Sequence, residues 1–170
     1  PLDVAFAPPR AVGFGTKDPG PCRAVRPELE QRGLHFYVQY TVNAYEAEGL
    51  GPGLPPLETR LERFLALSGR LGPARVVWRF DPLILARGLD QSELLRRAAR
   101  IADRLAGATE RLVFSFADVD AYPRVRRALR AAGVPWRPFD EGGMRRLAAG
   151  LAAVGRSEEQ TSELQSPNTN

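Results

Sequence analysis

The chain has 170 residues, 44% apolar and 26% charged, which is enough for one domain with a sizeable core and too apolar for a disordered polymer. Its 24 basic and 20 acidic side chains give a formal charge of +4, and its single cysteine, Cys22, excludes an internal disulfide. No run approaches the roughly 20 apolar residues of a membrane span and no basic-then-apolar leader opens the chain, so the expectation is a cytoplasmic protein with no membrane partner.

In chain order, AVGFGT (11–16) reads as a short apolar strand, followed by the turn-rich KDPGPCR and a short helix through PELEQRG that closes at Gly33. HFYVQYTVN (35–43) has the aromatic and β-branched content of a strand. The Gly/Pro loop EGLGPGLPP leads into a helix over 56–71 with Pro56 in its first turn. Its stripe is Leu57, Leu61, Phe64, Leu65 and Leu71, and Gly72 and Pro73 stop it. ARVVWRFDPLIL (74–85) is the third strand. Asp90 and Glu93 form a capping box for a helix whose Leu94, Ala98, Ile101 and Leu105 share a face and which ends at Gly107. ERLVFSFADV (110–119) is the fourth strand, Asp120 caps a helix to Ala132, and PWRPF is a candidate fifth strand before the helix that begins in GGMRRLAAGLAAVG.

The last fifteen residues, RSEEQTSELQSPNTN, replace the Ala, Leu, Arg and Gly of the rest with Ser, Thr, Gln, Asn and Glu. They resemble the translation of a sequencing adapter. The domain is therefore expected over 1–155, with 156–170 a non-native, disordered tail, and the natural chain is expected to continue past Gly155 and to begin before Pro1.

Strands alternating with helices argue for a parallel sheet, since parallel strands need crossover connections. An open doubly wound sheet and a barrel are the two choices. Gly13 and Gly15 give G-x-G, but Asp18 stands where a dinucleotide-binding turn needs its third glycine, and there is no phosphate-loop G-K-[ST]. The favoured fold is α/β, a partial (βα) TIM-like barrel of about four to five βα units on a parallel sheet.

Arg79 and Asp81 interrupt the apolar third strand. Alternation puts Val77, Arg79 and Asp81 on one face and Val76, Trp78 and Phe80 on the other. The second strand repeats this with Tyr37, Gln39, Thr41 and Asn43 against Phe36, Val38, Tyr40 and Val42. The fourth repeats it with Ser115 opposite Phe114 and Phe116, and Asp118 just beyond. Polar groups on one face at the carboxyl ends of several strands are what a barrel pocket needs. The alternative is a buried Arg79–Asp81 pair that only satisfies a barrel interior. Thr16 and Lys17, at the end of the first strand, join the pocket candidates, Lys17 as the only lysine. The sole histidine, His35, opens a strand and has no second ligand for a metal.

The segments VGFGTKDP, FYVQYTVNAYE, GLPPLETRLERFLALSGRLGPARVVWRFDPLIL and ERLVFSFADVDAY resemble a bacterial family known as a domain of unknown function, DUF1848, over residues 3–154. The resemblance implies a (βα) barrel. It also implies a carboxyl-terminal cysteine cluster similar to the three-cysteine iron–sulfur motif of radical S-adenosylmethionine enzymes. The chain departs from this in having one cysteine, and in Gly15 standing where the family segment F-W-T-K-N-P has tryptophan.

Two functions follow. In the first, the chain supplies the barrel and substrate pocket of an iron–sulfur, radical-type enzyme, lined by Thr16, Lys17, Gln39, Thr41, Arg79, Asp81, Ser115 and Asp118. The cluster would then belong to the full-length parent, this chain holding no cofactor or metal itself, and the missing carboxyl-terminal segment would be a partner. In the second, a non-catalytic barrel binds a nucleotide or nucleic acid through Lys17 and its arginine-bearing helices. Acidic residues between those arginines favour merely solvated helix faces.

Overall fold

The computed structural model describes residues 11–17, 28–29, 31–51 and 53–164. Four parallel strands form one sheet: β1 (Ala11–Thr16), β2 (His35–Thr41), β3 (Val76–Arg79) and β5 (Leu112–Val113), in the order β1-β2-β3-β5. Two further strands, β4 (Leu85–Ala86) and β6 (Trp136–Arg137), pair antiparallel beside it. The helices are α1 (Leu57–Leu71), α2 (Gln91–Leu105), α3 (Pro123–Ala131) and α4 (Glu141–Leu164).

The chain adds strands to the sheet one at a time in the same direction. Crossovers of a single hand then put the connecting helices on one face. Burial agrees. Phe36, Val38 and Tyr40 of β2 and Val76 and Trp78 of β3 share one core with Leu61 and Phe64 of α1, Leu94, Ala98, Ile101 and Leu105 of α2, and Leu147 and Leu151 of α4. Tyr40 stacks on Phe64 at a centroid distance of 5.6 Å, and the Trp78 indole donates to the Val42 carbonyl at 2.8 Å. Gly150 lies at the α2–α4 crossing, where a Cβ would come within 2.6 Å of the Leu95 side chain. A smaller cluster of Ile84, Val119 and Leu129 seats α3.

Several expectations are corrected. Among the described residues the parallel α/β sheet is seen but does not close, β1 and β5 being its two outer strands, and PWRPF gives β6, paired antiparallel to β4 rather than as a fifth parallel strand. The third strand stops at Arg79, ahead of the cis Asp81–Pro82 peptide, because proline offers no ladder donor. The fourth is shorter than 110–119, with only Phe116 beyond Val113 in a bridge, to Leu83. Asp120 does not cap α3, which starts at Pro123 with Tyr122 as its N-cap. A residue before proline is steered away from helical backbone, so the helix cannot begin sooner. Leu65 is 38% exposed, and Ser68 and Arg60 fill the buried stripe of α1 instead.

The helix expected near 27–33 is seen at residues 28, 29 and 31, and Cys22 with its turn lies outside the described residues. The segment expected as a disordered tail from Arg156 continues α4 as far as Leu164, and residues 165–170 lie outside the described residues. Glu, Gln, Ser and Leu carry small helix costs, and an existing helix propagates without paying nucleation again. Among the described residues no helix is long and apolar enough to cross a membrane.

The start of α2 supplies a pH-dependent element. Asp90 accepts from the Glu93 amide at 2.8 Å, as an N-cap should. The Glu93 carboxylate is taken by Arg96 and Arg97, whose hydrogen bonds lower its pKa from 4.5 to about 2. A carboxylate depressed in the folded state stabilises fully above its ordinary value and loses that contribution as pH falls through the folded one. Urea midpoints are therefore expected to fall between pH 4.5 and about 2, and to fall less steeply in Glu93→Gln. Identical pH profiles for the two proteins would remove Glu93 from the account.

Candidate functional site

The side of the sheet away from the helices carries the polar groups. Register sets Gly15 beside Gln39, Gln39 beside Val77, Thr41 beside Arg79, and Arg79 beside Val113. On this side Gly13, Gly15, Tyr37, Val113 and Ser115 are exposed, and no helix packs there among the described residues. Val77 and Thr41 on this side are buried, so the part a ligand can approach is the exposed strip around Gly13, Gly15, Tyr37, Val113 and Ser115.

At the carboxyl ends of the strands three side chains join. The Arg79 Nη2 group is ion-paired with Asp81 Oδ2, and the Ser115 hydroxyl donates to Asp81 Oδ1. Both oxygens of one carboxylate are thus occupied, which fixes its plane. The Arg79 and Asp81 side chains retain 29% and 16% of their exposure, so the pair sits at a mouth rather than in the core. Arg79 Nη1 lies over Gly15, 3.6 Å from where a Cβ would stand, and the missing side chain leaves the guanidinium uncovered on that side.

Asp81 is held from behind by the loop after β2. Asn43 Nδ2 donates to the Asp81 carbonyl at 3.2 Å and the Tyr45 hydroxyl to the Pro82 carbonyl at 2.9 Å. Burial pushes the Tyr45 phenol well above its ordinary value of 10, so it remains a donor. That loop is anchored in turn by Arg97 on α2. Its guanidinium bonds the Ala44 carbonyl, both oxygens of Glu48 at 2.8 Å each, and Glu93 at 2.6 Å. Hydrogen bonds with Glu48 raise its pKa further, and Glu48 and Arg97 are only 8% and 13% exposed.

Of the residues singled out in the sequence, Arg79, Asp81 and Ser115 are in direct contact, and Gln39 and Thr41 stand beside them in register. Thr16 does not join them: it pairs with Tyr40 and alternates onto the helix-packed face. Its strand, AVGFGT, contains two glycines and so gave no clear inward-outward signal. Lys17 is exposed just past β1. Asp118 lies beyond the strand end, where its carboxylate accepts from the Ala121 amide at 3.1 Å and faces a separate cavity. His35 is exposed at the start of β2, the opposite end from the polar cluster.

The sequence model of a family described as a domain of unknown function, DUF1848, matches residues 4–165. The chain belongs to that family. Neither a curated protein nor a solved structure matches it. The DUF1848 match spans all of β1 to β6 and all of α4, so the polar mouth and the loop behind it both lie in the family's domain.

Sequence reasoning passed over Tyr45, Glu48 and Arg97. Tyr45 could have been found by continuing the Gln39, Thr41, Asn43 alternation two residues further. The Glu48–Arg97 pair has no local signal, since its partners are 49 positions apart and meet only when α2 crosses the β2 loop.

Proposed function

We propose that the sheet face on which no described helix packs, at the carboxyl ends of β1, β2, β3 and β5, binds a small polar molecule bearing a carboxylate or phosphate. Arg79 is its cation, with Asp81 and Ser115 beside it. The observation that carries this reading is the Ser115–Asp81–Arg79 chain of hydrogen bonds on a sheet face that no helix packs against among the described residues. A guanidinium with one edge fixed by a carboxylate and its other nitrogen over a glycine keeps donors for an anion and loses little entropy on binding it.

The resemblance drawn from the sequence would make this the substrate side of an iron–sulfur, radical-type enzyme, a role that the family's own description does not carry. Such a cluster takes three thiolates. The chain has one cysteine, Cys22, and its described residues contain no group of three His, Cys, Asp or Glu that could hold a metal. The donors present do not fit the cluster, and the ligand reading does not run through it. Nucleic-acid binding would instead need free arginine faces. On the described helices Arg60, Arg96, Arg97, Arg104 and Arg145 are each paired with a glutamate, whereas Arg126, Arg127 and Arg130 of α3 have no carboxylate partner among the described residues and are the arginines that a nucleic-acid reading would use.

Thermal shifts with citrate and with inorganic phosphate test it. The native chain should gain roughly 1.4 kcal/mol at ten times Kd. The gain should vanish in Arg79→Ala, and also in Gly15→Trp, which keeps the charge but covers the guanidinium. Duplex DNA binding that falls steeply with salt and ignores both substitutions would replace this reading with the nucleic-acid one.

A further inference from the structure

A second cavity lies past the end of β5, distinct from the Arg79 face. Its volume is about 310 Å³, and its walls include Phe116, Trp136, Phe139 and Met144, with Asp118 and Asp120 among its lining residues. Four separate features build it. The Phe116 bridge to Leu83 extends the sheet. β6 places Trp136 opposite Ala86. Phe139 precedes the Asp140 carboxylate that accepts from the Gly143 amide at 2.6 Å at the start of α4. Met144 lies on the first turn of that helix.

The aromatic walls are fixed. Phe116 and Phe139 meet edge to face at 4.9 Å between centroids, and Phe114 backs Phe116 at 6.0 Å in the same manner. Trp136 packs on the Ile84, Val119 and Leu129 cluster. No basic side chain lines the cavity, although the chain as a whole is basic. Among the described residues neither Asp118 nor Asp120 is ion-paired. Asp118 accepts a single backbone amide, and the nearby Arg126 reaches only the main-chain carbonyl of Asp120, at 3.5 Å.

Ring faces carry negative potential and attract a cation that cannot hydrogen-bond, while flanking carboxylates supply the counter-charge. The volume suits a small organic molecule. We infer that this cavity is a binding site for a small organic cation of the quaternary or methylated ammonium class. The rings hold its methyl groups, and Asp118 and Asp120 select its charge.

Choline and its neutral isostere 3,3-dimethylbutan-1-ol differ in that charge alone. Both are titrated into the full chain by calorimetry, with tryptophan fluorescence as a second readout. Choline should bind at millimolar concentration or better and roughly tenfold or more tighter than the alcohol. The preference should collapse in the Asp118→Asn, Asp120→Asn double variant, which keeps both side-chain shapes and the acceptor for the Ala121 amide. Trp136→Leu should weaken choline binding and quench its fluorescence response. Equal affinity for choline and the alcohol, no choline binding by the native chain, or an unchanged preference in a folded double variant would each overturn the inference. A double variant that fails to fold leaves the comparison of the two ligands on the native chain to decide.

Discussion

Replacing Arg97 by methionine is expected to cost about 3 to 5 kcal/mol of folding stability, read as a lower urea midpoint, because it leaves a buried carboxylate without its partner. Glu48 is the group stranded: it is 8% exposed and gives both oxygens to Arg97. The same substitution removes the donor to the Ala44 carbonyl and so loosens the loop whose Asn43 and Tyr45 grip the Asp81 and Pro82 carbonyls. Adding Glu48→Gln should recover part of the loss, since a neutral amide costs less to leave unpaired than an anion. If Arg97→Met alone were neutral, the loop would owe its position to something other than this ion pair.

The second large effect compares two neighbouring residues on opposite faces of β3. Trp78→Ala is expected to cost about 3 to 5 kcal/mol, as for other large side chains removed from a core. Trp78 is 2% exposed and satisfies the Val42 carbonyl, which the substitution leaves without that bond. Arg79→Ala should cost about 1 kcal/mol or less, in the range of exposed ion pairs, because Asp81 keeps its bond from Ser115 and both partners reach solvent. Equal costs at the two positions would mean that Arg79 is a structural core residue, and the ligand reading of the open face would fail with it.

Period two was enough to read part of this site. The apolar run around Arg79 and Asp81, and the spacing of Gln39, Thr41 and Ser115, place those side chains on one face of any sheet the strands form, and the register bears that geometry out. It was not enough for Thr16 or Asp118. Thr16 lies in a strand with glycines at two of its positions, so parity had little to act on, and pairing with Tyr40 settles its side. Asp118 stands three residues after Ser115, an odd spacing that alternation puts on the opposite face, and regular pairing ends at Val113 before the chain turns away after the Phe116 bridge.

By itself the sequence determined the buried face of α2, its N-cap at Asp90 and the parallel character of the sheet. Those follow from local periodicity and from the need of parallel strands for crossovers. Only the tertiary structure decided that the sheet stays open, that β6 runs antiparallel to β4, and that Glu48 meets Arg97 behind Asp81. Which strand pairs with which, and which charges meet across 49 residues, depends on how the helices pack on the sheet, and no short-range pattern in the chain encodes that packing.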